Sequence, residues 1–332
     1  MVARSRAADQ LAAALKAVES EDATIQEKAE MLMEMAMGLQ QQPKSPTDLE
    51  TAVVLYEKAL EIGSGQSQLL AARINARLGT ALMAMPAPDT TPLERAHLVF
   101  EAALEVLAKE GLPEEIAEAE MNVGLTLQTL AGVHKARIQD AISAYQRALR
   151  TFDKTKHPQE FAILQNNLAT AFLSIPFTDQ RSAMREALAV QAFQDGLSVV
   201  TLIDHPNEYA MLQNNLGNAL QYASSSHRVE NGFRALEAYD EALRVREART
   251  MPGEYANTIA NKANCLSNLP DDPSDPDSGN EENIKAAVAL YEEAANLFEE
   301  TGEADKAQIT RSALEELLVE QSQQHFKRSQ VH

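Results

Sequence analysis

Asn122, Asn167, Asn215 and Asn261 follow one another at intervals of 45, 48 and 46 residues. A side-chain amide carries both hydrogen-bond donors and acceptors, so a row of them at repeat spacing can pair with the main chain of an extended peptide of any sequence. Three residues beyond each, one helical turn on, come Leu125, Thr170, Asn218 and Asn264. Other groups suggest other chemistry, but less completely. His157 and His205 occupy matching places, yet two imidazoles supply at most half of a tetrahedral zinc site. Met31, Met33, Met35 and Met37 alternate in "MLMEMAMG", and thioethers so grouped could hold Cu(I). On a helix, however, Met31 and Met35 face away from Met33 and Met37, which fits adaptable packing or a contact surface better. The acidic stretch "LPDDPSDPDSGNEEN" from Leu269 places Gly279 out of register for an EF-hand loop and contains three prolines, so it reads as a solvated linker rather than a calcium site. The sequence contains no glycine-rich phosphate loop, nucleophile elbow or zinc-ligand spacing. No catalytic residue, metal ligand or cofactor is assigned.

The elements that would carry the asparagines are helices in pairs. Short corners recur as "LPEEIA" at Leu112, "HPQEFA" at His157, "HPNEYA" at His205 and "MPGEYA" at Met251. Proline fits the first helical position because the amide it lacks has no intrahelical partner there. The glutamate two residues on meets the positive end of the helix dipole. Within each first helix, two residues past the asparagine, stands a small one: Gly124, Ala169, Gly217 or Ala263. An earlier copy from Ile74 keeps Gly79 but carries Arg77 in place of the asparagine. A small residue mid-helix predicts close passage of another helix, since glycine there otherwise costs about 1 kcal/mol against alanine. A second amphipathic helix follows each first one, in "AVVLYEKALEIG", "AHLVFEAALEVLA", "AISAYQRALRTF", "ALAVQAFQDGLSVV", "ALEAYDEALRVRE" and "AVALYEEAANLFEE".

The segment "NNLGNAL" followed by "ALEAYDEALRV" resembles the tetratricopeptide repeat, over roughly residues 27 to 300. These repeats run longer than that family's 34-residue unit, so corners and inter-helix loops must hold the excess. The resemblance implies an all-α fold, a right-handed superhelical solenoid of antiparallel helix pairs. It further implies that the first helices line a concave groove that holds a peptide or partner protein. The expected organisation is a lead-in helix over 1–26, about six helix pairs over 27–302, a capping helix over 303–324 and a mobile tail over 325–332. The groove residues are then Asn122, Asn167, Thr170, Asn215, Asn218, Asn261 and Asn264, bordered by Tyr222 and Asn268, with Arg73 and Arg77 in the second pair. Some relatives grip a terminal carboxylate with a Lys/Asn/Arg set. Here methionines stand where that set needs its lysine and asparagine.

Composition sets the remaining bounds. Ala, Leu, Glu and Gln dominate the 332 residues and favour helix. A formal net charge of −20 disfavours nucleic acid and favours a basic or neutral partner. No run of 18 apolar residues could cross a bilayer, and the N-terminal stretch does not read as a signal peptide. The single cysteine, Cys265, excludes an internal disulfide, and a cytoplasmic location fits. The function expected is a non-enzymatic scaffold or adaptor for another protein, with a dedicated assembly chaperone as the alternative.

Overall fold

The computed structural model describes residues 11–16, 18–19, 22–176, 181–224, 227–275 and 278–330. Among them there is no β-strand, apart from one isolated bridge between Asp272 and Asp275. The chain divides into two compact units, Met1–Asp153 and Lys154–His332. The first holds α1 (Ile25–Gln41), α2 (Pro46–Gly63), α3 (Gln68–Ala84), α4 (Thr91–Glu110), α5 (Pro113–Gly132) and α6 (Ile138–Ala148). Residues 11–16 and 18–19 precede them as helix. The second holds α7 (Pro158–Leu173), α8 (Arg181–Leu197), α9 (Pro206–Gln221), α10 (Arg228–Leu243), α11 (Pro252–Leu266), α12 (Glu281–Glu300) and α13 (Ala304–Gln330). Each odd-numbered helix from α1 to α11 packs on the one that follows it, and within a unit each pair stacks on the next. Helix α13 packs on α12.

Helices α5, α7, α9 and α11 begin at Pro113, Pro158, Pro206 and Pro252, the prolines of the four recurring corners. At the first of these, Glu115 accepts a hydrogen bond from the Leu112 amide at 2.9 Å, satisfying one donor that the helix cannot. Helix α1 starts on a reciprocal cap, with the Glu27 amide donating to Thr24 Oγ1 at 3.2 Å and the Thr24 amide to Glu27 Oε2 at 2.7 Å.

In α3, α5 and α9 the small residue of the first helix is a seat for an aromatic ring from the second. A Cβ added at Gly79 would stand 2.5 Å from the Phe100 ring, and one at Gly217 would stand 2.6 Å from the Tyr239 ring. At Gly124 the Tyr145 ring is closer still. Phe100, Tyr145, Phe193 and Tyr239 are fully buried, as is Tyr56 in the first pair, and each such side chain contributes about 1.5–3 kcal/mol of burial. The tyrosine hydroxyls are matched as well. Tyr56 donates to Gln40, Tyr145 to Gln128 and Tyr239 to Gln221, each at 2.8 Å. Gln128 and Gln221 lie four residues after Gly124 and Gly217, and Gln40 four after Ala36. Where the ring is phenylalanine, that position carries Met83 or Leu173 instead. Burial explains the pairing: a phenol needs an acceptor and a phenyl ring does not. The sixth pair carries Tyr291 and Ser267 at these places.

The acidic stretch is a knit corner as well as a linker. Asp271 accepts from the amides of Glu282 (3.1 Å) and Asn283 (2.8 Å) and so caps the start of α12. The Asp271 amide donates in turn to the Gly279 carbonyl at 2.8 Å, with Gly279 at φ 89°, the left-handed region that suits glycine. Helix α13 continues to Gln330, past residue 324 where the sequence suggested an end to the cap. The last two residues of the expected tail lie outside the described ones.

Candidate functional site

In the second unit the first helices α7, α9 and α11 lie side by side. Their asparagines form one continuous run of amide hydrogen bonds. Asn261 donates to Asn214 at 3.3 Å, Asn214 to Asn215 at 3.1 Å, Asn215 to Asn166 at 2.8 Å and Asn166 to Asn167 at 3.3 Å. Asn166 and Asn214 are buried, each 7% exposed. Asn167, Asn215 and Asn261 are half-buried. Every link in such a run uses one N–H and one lone pair, so Asn215 keeps a second N–H and a second lone pair for another molecule. The inner members set the register between repeats, and the outer members show amides that their neighbours hold in place.

The other residues expected here have mixed roles. Thr170 turns its hydroxyl back onto the Asn167 carbonyl at 2.9 Å. Asn218 Oδ1 lies 2.8 Å from the Tyr239 hydroxyl and shares its single O–H with Gln221, so it helps hold the ring. Tyr222, at the end of α9, is 67% exposed and receives a hydrogen bond from Asn264. Asn268 is exposed and bonds the Asn264 carbonyl at 2.8 Å. Tyr222, Asn264 and Asn268 line a cavity of about 170 Å³ together with Arg228 and Cys265. The Cys265 thiol donates to the Gly232 carbonyl, and burial pushes its pKa up to about 12, so it stays protonated and inert at neutral pH.

Arg73, Arg77 and Asn122 come together in the first unit, in a cavity of about 200 Å³ between α1, α3, α4 and α5. Arg73 grips Glu115 with two nitrogens, at 2.6 and 3.3 Å, and Arg77 meets Glu118 at 3.1 Å. The Arg73 guanidinium holds the Glu115 carboxyl below the usual carboxylate range. Met33 and Met37 form the apolar part of the lining. Met35, on the other face of α1, lines a separate apolar groove with Leu39 and Leu55. The methionine run thus serves two surfaces.

Sequence reasoning passed over Asn166 and Asn214. Their signal was the doublet "LQNNL", which is repeated whole. Glu34, Glu115 and Glu118 were passed over too, because only the stacking of α1, α3 and α5 brings Glu115 and Glu118 to Arg73 and Arg77 and sets Glu34 in the same cavity. His157 and His205 occupy the corner positions before α7 and α9 with matching backbone angles. Among the described residues, no group of three His, Cys, Asp or Glu side chains is placed to hold a metal ion. No helix among them is long and apolar enough to cross a membrane.

No family model matches this sequence, and no curated protein matches it. Solved structures do match the fold. BtubC (BKLC) from P. vanneervenii aligns with a TM-score of 0.50 at 20% identity, over 74% of this chain and 90% of that one. YrrB, described as a TPR protein with an unusual peptide-binding site, aligns with a TM-score of 0.41 at 15% identity, over 77% and 97% of the two chains. The TPR2AB domain of yeast Sti1, solved with pHSP90, aligns with a TM-score of 0.30 at 15% identity, over 88% and 98%. The chain is an all-α protein of the tetratricopeptide-like fold, in which antiparallel helix pairs stack on one another within each unit.

Proposed function

We propose that this chain is a non-enzymatic scaffold that holds a peptide segment of another protein against the first helices of its second unit. The run of asparagines carries the reading. Three half-exposed amides, one per repeat, are held by their neighbours and keep spare donors and acceptors for a main chain. Such a row reads backbone rather than sequence, and a preorganised row loses less entropy on binding than free amides would. Tyr222, standing proud at the edge, adds an aromatic anchor of the kind that dominates interface energy. The net charge of −20 favours a basic or neutral partner, and a single protonated thiol suits the cytoplasm.

A photo-crosslinking amino acid at Thr170, on the first-helix surface, tests this against one at Glu237, exposed on α10. In native-cell extract the Thr170 position captures a partner and the Glu237 position does not. Capture falls at least tenfold when Asn167, Asn215 and Asn261 are all replaced by alanine, with helix content by circular dichroism retained. Equal capture from both positions, or full capture by a folded triple variant, removes the assignment.

A further inference from the structure

The cavity of the first unit is a different kind of site from the amide row. Its volume, about 200 Å³, falls short of the roughly 300–1,000 Å³ of small-ligand pockets and suits one long side chain. Both of its cations are already matched, Arg73 by Glu115 in a two-pronged pair and Arg77 by Glu118. An incoming anion would have to displace those carboxylates. Glu34, on α1, lines the same cavity, and among the described residues no cation pairs with it. The cavity therefore carries one uncompensated negative charge, on the exposed Glu34, in a lining shared with the partly buried Met33 and Met37.

We propose that this pocket takes a lysine or arginine side chain of a partner segment, its aliphatic stem on Met33 and Met37 and its charge at Glu34. Thioethers adapt to an unbranched stem better than branched side chains do. A long cationic side chain naturally buries its methylenes while its head seeks a charge at the rim. The acidic chain as a whole draws such a segment in.

The inference rests on the reading of the chain as a peptide-holding protein, and it is tested separately from that reading. The full chain, labelled with ¹³C at its methionine methyls, is titrated with N-acetyl-lysine methylamide and with its arginine, norleucine and glutamate counterparts. Met33→Leu and Met37→Leu variants assign the two signals. The Met33 and Met37 methyls shift at least fivefold earlier in the titration with the lysine and arginine probes than with norleucine. Glu34→Gln brings the lysine probe down to the norleucine level. The assignment is overturned if the glutamate probe binds best, if Glu34→Gln leaves lysine binding intact, or if no probe moves the two methyls. Any of these with Thr170 crosslinking preserved removes the pocket and keeps the scaffold, and crosslinking lost with the methyl shifts intact does the reverse.

Discussion

In both units, side chains tie the first helix of one repeat to the first helix of the next, and the two units do it with different chemistry. Between α3 and α5 the ties are ion pairs, Arg73 with Glu115 and Arg77 with Glu118. Across α7, α9 and α11 they are chiefly neutral asparagine amides, two of them buried, with one charged acceptor, Glu208, taking a hydrogen bond from Gln159 at the exposed start of α7 and α9. An exposed ion pair gains little net free energy and is screened by salt. A buried amide pair is worth about 1 kcal/mol made, and more than that when one partner is left unsatisfied. The difference shows that register between repeats does not depend on charge. It also leaves the asparagine row of the second unit uncharged and sequence-tolerant, whereas the cavity of the first unit is charged and selective.

Three measurements break or sharpen that comparison. The largest effect belongs to what the units share, the seated ring. Tyr145→Ala and Tyr239→Ala each cost about 3–5 kcal/mol, the range for emptying a fully buried aromatic position, and each loosens its own unit first by hydrogen exchange. Equal loosening of both units by either change would show that they do not unfold separately. Next comes the tie itself. Asn214→Ala removes both an acceptor for Asn261 and a donor to Asn215, and destabilises α9–α11 by about 1–3 kcal/mol. Arg77→Ala costs α3–α5 less than about 1 kcal/mol. The contrast between the units fails if urea titrations rank the two changes the other way.

The smallest effect is the response to acid and salt. The Glu115 pKa is lowered by its hydrogen bond from Arg73. Its stabilisation is therefore complete above the unfolded carboxylate pKa and is lost as pH falls through the folded value. The asparagine run has no group that titrates there. Glu241 is also held low, by Tyr209 and Arg244, but it joins α10 to α9 and lies outside that run. Exchange at the α3–α5 contact, corrected for intrinsic rates, should rise between pH 6 and pH 3 and again in concentrated salt. At the α9–α11 contact it should hold steady, and a matching rise there would show a charged group in the amide run.

Much of this was legible in the residues because the causes are local. Proline at a helix start and glutamate two residues later answer to the unpaired amides of that one turn, so the corners at Pro113, Pro158, Pro206 and Pro252 could be read directly. The recurrence of asparagine was equally plain. Its division of labour was not, because Asn166 and Asn167 are the same residue type and only their angular separation, about 100° on a helix, sends one inward and the other toward the surface. Arg73 and Arg77 posed the converse problem. They look like free cations until packing brings in carboxylates from 42 and 41 residues away. The cavity beside them takes its lining from four helices, α1, α3, α4 and α5, and no single stretch of sequence announces it.

Look-alike repeats carry a hazard during folding, since a second helix can settle on the wrong first helix and meet nearly the right surface. The rings alternate along the chain as Tyr56, Phe100, Tyr145, Phe193 and Tyr239, and their facing positions alternate with them. A helix displaced by one repeat would press a hydroxyl against Met83 or Leu173, or leave a glutamine amide facing a bare phenyl ring, at a cost of about 1–3 kcal/mol. Over the first five pairs, neighbours are thus lock and key to their own mates and misfits to each other, an address that lapses only at the sixth pair, where Tyr291 follows Tyr239.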